Sequence, residues 1–253
     1  MAETTGISWT DATWNPWIGC TKVSPGCDHC YAERDMSRFG RHFDQVQRTS
    51  SLVFTLPLRL KEPRRIFTCS WSDFFHRGAD AWREEAWEII KATPWHTYQI
   101  LTKRPGLMVA WAEKHGWPEH VWAGTSVESQ KYAPRLDVLA RVPAKVRFVS
   151  VEPMLEAVDL RPWLGCPHKG DEDGDICCPE CGYPREKSRW IHWVIVGGES
   201  GAGFRPMEIP WLESLAQQCS VARVPRGVKQ ASNLRPGQQG RIPDELWARK
   251  EMP

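Results

Sequence analysis

The sequence predicts an α/β protein, a full or partial (β/α) TIM-like barrel with a small metal-binding insertion. Three observations carry that reading. Short apolar runs alternate with amphipathic stretches of about 10–15 residues, the pattern of βαβ units around a parallel sheet. About seven such units fit within 253 residues, a length one barrel can occupy. The predicted strands also turn polar or charged at the same end, where a barrel places its site. Residues 1–253 are read as one barrel domain, and residues 165–189 as an insertion within it.

The elements follow in order. "WNPWIGC" (14–20) reads as a first short strand, and "RRIFTCS" (64–70) as a β-rich run ending in the polar "SDFFH". "EEAWEIIKAT" (84–93) spaces its apolar residues as a helix does. "TYQILTKRP" (97–105) is a strand stopped by Pro105, and 106–115 a helix. "HVWAGTSVES" (120–129) is a strand, followed by a helix near 130–141 that carries Leu136 and Leu139. "KVRFVSVEPM" (145–154) and "WIHWVIVGGESG" (190–201) are strands, the second a continuous apolar run stopped by glycines. A helix over 210–219, a last strand over 221–230 and a short helix near 243–250 complete the chain.

Composition bounds the function. The hydrophobic fraction is 41% and the charged fraction 25%, ordinary for a soluble globular protein. Lys and Arg total 33 against 31 Asp and Glu, so the net charge of +2 is not that of a strongly basic nucleic-acid binder. The cysteine total of 9 is odd and clustered, which points to metal chemistry in a reducing compartment and away from a disulfide framework. The 15 tryptophans are spread along the chain and are expected mostly in packing. Residues 1–19 lack the basic and apolar regions of a signal peptide, and no apolar stretch approaches a membrane span. A cytoplasmic protein with no membrane partner is expected.

"GCTKVSPGCDHCYAE" (19–33) holds Cys20, Cys27 and Cys30 at C-x6-C-x2-C spacing, just after the first expected strand. Thiolates are soft ligands that suit zinc or iron–sulfur clusters. A [4Fe–4S] cluster usually takes four cysteines. Three leave one iron open to an outside ligand. A zinc site would need a fourth ligand, with His29 or a distant residue available. The other strand ends read Ser70-Trp71-Ser72-Asp73, Thr102-Lys103-Arg104, Thr125-Ser126-Val127-Glu128, Ser150-Val151-Glu152, Gly197-Gly198-Glu199-Ser200 and Lys229-Gln230. Polar loops facing solvent would also produce polar ends. Here, however, Ser, Thr, Glu, Lys and Arg abut apolar runs where Asp, Asn and Gly caps are more usual.

The three-cysteine loop in a βα-repeated chain, with Tyr31 directly after the last cysteine, resembles the radical S-adenosylmethionine superfamily. The commonest spacing there is C-x3-C-x2-C, so the first gap here is longer. "ISWTDATWNPWIGCTKVSPGCDHCYAE", "WVIVGGESG", "RPM" and "VKQ" most resemble an uncharacterised phage- and prophage-encoded branch with a C-x6-C-x2-C cluster loop. The likeness covers most of the chain outside residues 165–189. It implies a [4Fe–4S] cluster on Cys20, Cys27 and Cys30 whose open iron chelates S-adenosylmethionine. Reduction by an external electron donor would then yield a 5′-deoxyadenosyl radical that abstracts hydrogen. The superfamily binds the methionine amino group with a Gly-Gly-Glu-like turn after the second strand. Here Ser70, Ser72 or Asp73 holds that position, while the literal "GGES" lies on a late strand. Tyr31 falls in the cofactor set, Ser126 and Glu128 suit the ribose hydroxyls, and Glu152 and Glu199 stand at neighbouring strand ends. Lys103 or Arg104 suits the methionine carboxylate or a substrate phosphate. Phage affinity and the Arg-rich "RVPRGVKQASNLRPGQQGR" imply a nucleic-acid or nucleotide substrate, through DNA modification or repair.

Residues 165–189 break the rhythm with four cysteines, an acidic run and few large aliphatics. Cys166, His168, Cys177, Cys178 and Cys181 offer a C-x2-C knuckle and an upstream C-x-H, enough for zinc on Cys166, Cys178 and Cys181 with His168 or Cys177. A second iron–sulfur cluster on the four cysteines competes. Cys69 and Cys219 read as buried, inert thiols, with a hydrogen-donor role for Cys69 held open, and the histidines at 42, 76, 96, 115, 120 and 192 show no ligand spacing. A different class of function also fits both cysteine clusters: a zinc-stabilised nucleic-acid-binding or adaptor protein without radical chemistry.

Overall fold

A computed structural model describes residues 5–165 and 190–253. The chain divides into two compact units, Met1–Thr125 with Val142–Lys145, and Ser126–Arg141 with Val146–Pro253. The ligands expected at Cys166, His168, Cys177, Cys178 and Cys181 lie outside the described residues.

In the first unit β1 (Ala12–Trp14) is wholly buried, and the Trp14 indole donates to the Phe54 carbonyl at 3.0 Å. The expected first strand over 14–20 is instead split. Pro16 cannot donate to a ladder, so β2 (Trp17–Ile18) leaves the main sheet. Helix α1 (Tyr31–Arg38) starts at Cys30, and β3 (Gln47–Arg48) returns antiparallel to β2. Two single turns, α2 (Ser51–Phe54) and α3 (Leu56–Arg59), lead to β4 (Arg65–Thr68). Helix α4 (Asp80–Ala92) begins with an acidic residue suited to the helix dipole and buries Ala86, Trp87, Ile89 and Ile90. β5 (Thr97–Thr102) ends before Pro105, which opens α5 (Pro105–His115) at the position where a missing N–H costs nothing. Gly116, with φ 72°, ends that helix, and β6 (Val121–Ser126) follows. The order β1-β4-β5-β6 is parallel throughout. The tryptophans do pack: Trp14, Trp17 and Trp87 are buried with Phe54, Phe74, Phe75 and Tyr98.

In the second unit the expected helix over 130–141 is shortened to α6 (Arg135–Leu139), preceded by a 3-10 turn, because Pro134 stands at its start. β7 (Arg147–Val151), α7 (Arg161–Leu164) and β8 (Trp193–Gly197) follow. Helix α8 (Ile209–Ala222) runs past its expected end, so the last strand, β9 (Arg226–Gln230), starts later than 221. α9 (Asp244–Trp247) is a single turn. β7, β8 and β9 pair in parallel, and β8 is buried along its length, as its unbroken apolar run requires. Both units are thus α/β with parallel strands. No helix among the described residues is long and apolar enough to cross a membrane.

Candidate functional site

The cysteine loop leaves β2 through Gly19, whose φ of 93° suits glycine. A Cβ there would lie 2.5 Å from the Gln45 carbonyl oxygen, so the loop passes too close for any side chain. Gly19 N–H donates to Trp71 O at 3.0 Å and Cys20 N–H to Phe43 O at 2.7 Å, which tethers the loop on both sides. Cys27 closes a 3-10 turn (Pro25–Cys27), and Cys30 precedes the first residue of α1, where the helix dipole favours negative charge. All three thiols are free and partly exposed. Among the described residues no three His, Cys, Asp or Glu side chains converge on a single-ion site.

The strand ends of the first unit close around this loop. Asp73, after β4, is 5% exposed and fully engaged. Its Oδ1 accepts from Thr102 Oγ1 at 2.7 Å and Phe75 N–H at 2.9 Å; its Oδ2 accepts from Lys103 N–H at 3.1 Å and Arg104 Nη1 at 2.9 Å. Arg104 Nη1 also lies 3.6 Å from Cys20 Sγ, and Nη2 donates to Thr21 O at 2.9 Å and Thr21 Oγ1 at 3.0 Å. Burial and the Asp73 carboxylate push the Cys20 thiol up to about 11, against the pull of Arg104. Burial also raises Cys30, opposed by the amides of Glu33 and Ala32 and by the Lys103 ammonium. The Lys103 ammonium itself has no hydrogen bond or ion pair among the described residues.

Ser70, Ser72 and Tyr31 meet in the same place. Tyr31 OH donates to Ser70 O at 2.6 Å, Ser72 Oγ donates to Gly19 O at 2.5 Å, and the Asn15 amide donates to Ser70 Oγ at 2.9 Å. Cys69 is buried just past β4 with φ 65°, a conformation rare outside glycine. Burial holds its thiol well above the ordinary value. Cys219 is buried in α8. Asn15 and Thr21 carry no signal in the sequence, and His76, which shows no ligand spacing there, also lies at the site. His76 Nε2 pairs with Thr21 Oγ1 at 3.0 Å, and its pKa is lowered by burial and by Arg104. Their partners lie more than fifty positions away in sequence, beyond any motif.

The remaining expected residues belong to the second unit, each carboxylate beside a cation of that unit. Glu128, fully buried, accepts from Arg135 Nη1 at 2.8 Å, and the same nitrogen donates to Ser126 O at 2.8 Å. Glu152 accepts from Lys229 Nζ at 2.6 Å. Glu199 Oε2 accepts from Arg205 N–H at 2.8 Å and Nε at 3.0 Å. In "GGES" the second glycine has a packing reason: a Cβ on Gly198 would lie 2.2 Å from Ser232 N.

A cleft of about 450 Å³ opens beside the cysteine loop, lined by Cys20, Lys22, Glu33, Arg41, His42 and Asp44 among others. Lys22 and Glu33 bridge at 2.9 Å within it.

A family model described as "Protein of unknown function (DUF5131)" matches residues 4–248. No curated protein and no solved structure matches the chain.

Proposed function

We propose, for a chain that belongs to this family of unknown function, a radical S-adenosylmethionine enzyme on a partial (β/α) barrel, with Cys20, Cys27 and Cys30 holding a [4Fe–4S] cluster. One observation carries the reading: three free thiols share a tethered loop at the C-terminal strand ends of a parallel sheet, beside a half-buried arginine and a lysine whose ammonium has no hydrogen bond or ion pair among the described residues. The donor set fits the group. A cubane takes one thiolate at each iron corner, so its ligands stand farther apart than those of one ion. Cys30 at the start of α1 suits an anionic cluster.

When bound, the cluster and S-adenosylmethionine supply one-electron cleavage and hydrogen-atom abstraction. The chain's own residues hold and orient. Lys103 offers its ammonium to a carboxylate, and Ser70 and Ser72 are proposed for an amine. Asp73 acts by holding Arg104, since its carboxylate is already filled. Ser126 and Glu128 are proposed for ribose contacts and Glu152 and Glu199 for further cofactor contacts at the strand ends of their own unit. Zinc or a second cluster is proposed for Cys166, His168, Cys177, Cys178 and Cys181. A nucleic-acid or nucleotide substrate, an external electron donor and a cytoplasmic site complete the reading. Exposed Arg223, Arg235 and Arg241 in the second unit support phosphate contact.

The test is anaerobic purification and reconstitution. Brown protein with about four irons per chain, forming 5′-deoxyadenosine with dithionite and S-adenosylmethionine, is the expected result. Cys27→Ala should abolish that product. Colourless protein with zinc and no iron would overturn the proposal in favour of a zinc-stabilised nucleic-acid-binding or adaptor protein.

A further inference from the structure

We infer that Arg104 is a positioning residue for the cluster, binding the first cysteine's sulfur and setting how readily the cluster takes its electron. The inference rests on the reading of Cys20 as a cluster ligand. The geometry is specific. One guanidinium reaches Cys20 Sγ at 3.6 Å, the Asp73 carboxylate at 2.9 Å, and both oxygens of Thr21 at 2.9 and 3.0 Å. It is therefore a clamp that joins the cysteine loop to the ends of two neighbouring strands. The side chain is 13% exposed and that of Asp73 7%, so the pair works at reduced screening. Arginine suits the task because its planar fork can hold several acceptors at fixed angles while its charge persists at any working pH.

The consequence is electrostatic. One-electron reduction adds negative charge to a cluster already carrying thiolates. A cation donating N–H to a ligand sulfur stabilises the reduced form more than the oxidised form, and hydrogen bonds to cluster sulfurs are a recognised determinant of potential. Asp73 opposes this, because it is an anion held beside the same guanidinium. The two residues should thus tune the potential in opposite senses. A purely structural clamp would change loading and stability only.

The experiment compares reconstituted wild type with Arg104→Gln, Arg104→Lys and Asp73→Asn. Iron content and the visible spectrum are measured first, then a redox titration followed by electron paramagnetic resonance. Arg104→Gln should lower the reduced-to-oxidised ratio at a fixed ambient potential by roughly threefold or more, a negative shift in midpoint. Arg104→Lys, which keeps the charge but not the fork, should fall between. Asp73→Asn should shift the midpoint the other way and supplies the reading if Arg104→Gln does not load. Loaded variants with wild-type midpoints would overturn the role of Arg104 and leave the cluster assignment standing. A wild type that binds no iron would overturn both.

Discussion

Gly19 shows how one residue limits what the loop can be. Its φ is 93° and a Cβ would meet the Gln45 carbonyl at 2.5 Å, so Gly19→Ala must move backbone. We expect a loss of at least about 1 kcal/mol in denaturant unfolding and, on the proposed cluster assignment, reduced iron loading because Cys20 is the next residue. Asp11 poses a different question, because its value depends on pH. Hydrogen bonds from Arg65, at 3.1 and 2.8 Å to the guanidinium and 2.8 Å to the backbone N–H, hold its carboxyl below the usual aspartate range. A carboxyl with a depressed folded-state pKa stabilises fully above its unfolded value and loses that contribution as pH falls through the folded one. Asp11→Asn should therefore melt below wild type at about pH 7, and the gap should close as pH drops below about 4. Equal gaps at both ends would show that Asp11 acts through shape alone. At this scale the cysteines were legible, since C-x6-C-x2-C is a local pattern. Their partners were not. Asn15 finds Ser70 and Trp71, and His76 finds Thr21, only after β1 and β4 pair.

Among the elements, apolar runs located the strands well because parallel strands are buried on both faces. β8 is the clearest case, its five residues all buried. The misplaced ends have physical causes: Pro16 splits the first expected strand, Pro105 opens a helix, and Pro134 delays α6. Helix α1 was missed because the cysteine motif masked its start, and its mean composition is polar. Helix α4 packs its face around Trp87. Trp87 sits within 6.1 Å, between ring centroids, of Phe74, Trp111 and Trp117, and has no solvent exposure. Trp87→Ala should cost about 3–5 kcal/mol in equilibrium unfolding. Its indole N–H is buried without a partner among the described residues. Trp87→Phe removes that orphaned donor, so it should cost clearly less than the alanine change. If the two variants were equally destabilised, cavity formation would not be what Trp87 prevents.

For the whole molecule, the decisive feature is how the second unit is fastened on either side of residues 166–189. Trp190 and Ile191 N–H both donate to the Trp163 carbonyl at 3.2 Å, so the chain on either side of residues 166–189 is fastened together by described residues alone. Trp163 is itself anchored, its indole donating to Asp137 at 2.9 Å, and Ile191 is buried. Replacing residues 166–189 with a few Gly and Ser residues joins two chain ends that already meet, at a small entropic change. The β7-β8-β9 pairing is made by described residues on both sides of the gap. The variant lacking residues 166–189 should therefore keep its far-ultraviolet dichroism and a cooperative melt within a few degrees of wild type. On the proposed assignments it should lose one metal population and keep the other: the ligands proposed between Cys166 and Cys181 disappear, while Cys20, Cys27 and Cys30 remain on a separately tethered loop. Metal analysis of both proteins after the same reconstitution reads the difference directly. Loss of zinc with about four irons retained fits a structural metal beside the cluster. Loss of about half the iron assigns the segment a second cluster. A chain that no longer folds would show that the segment's metal supports the second unit itself, against the closure seen at Trp163.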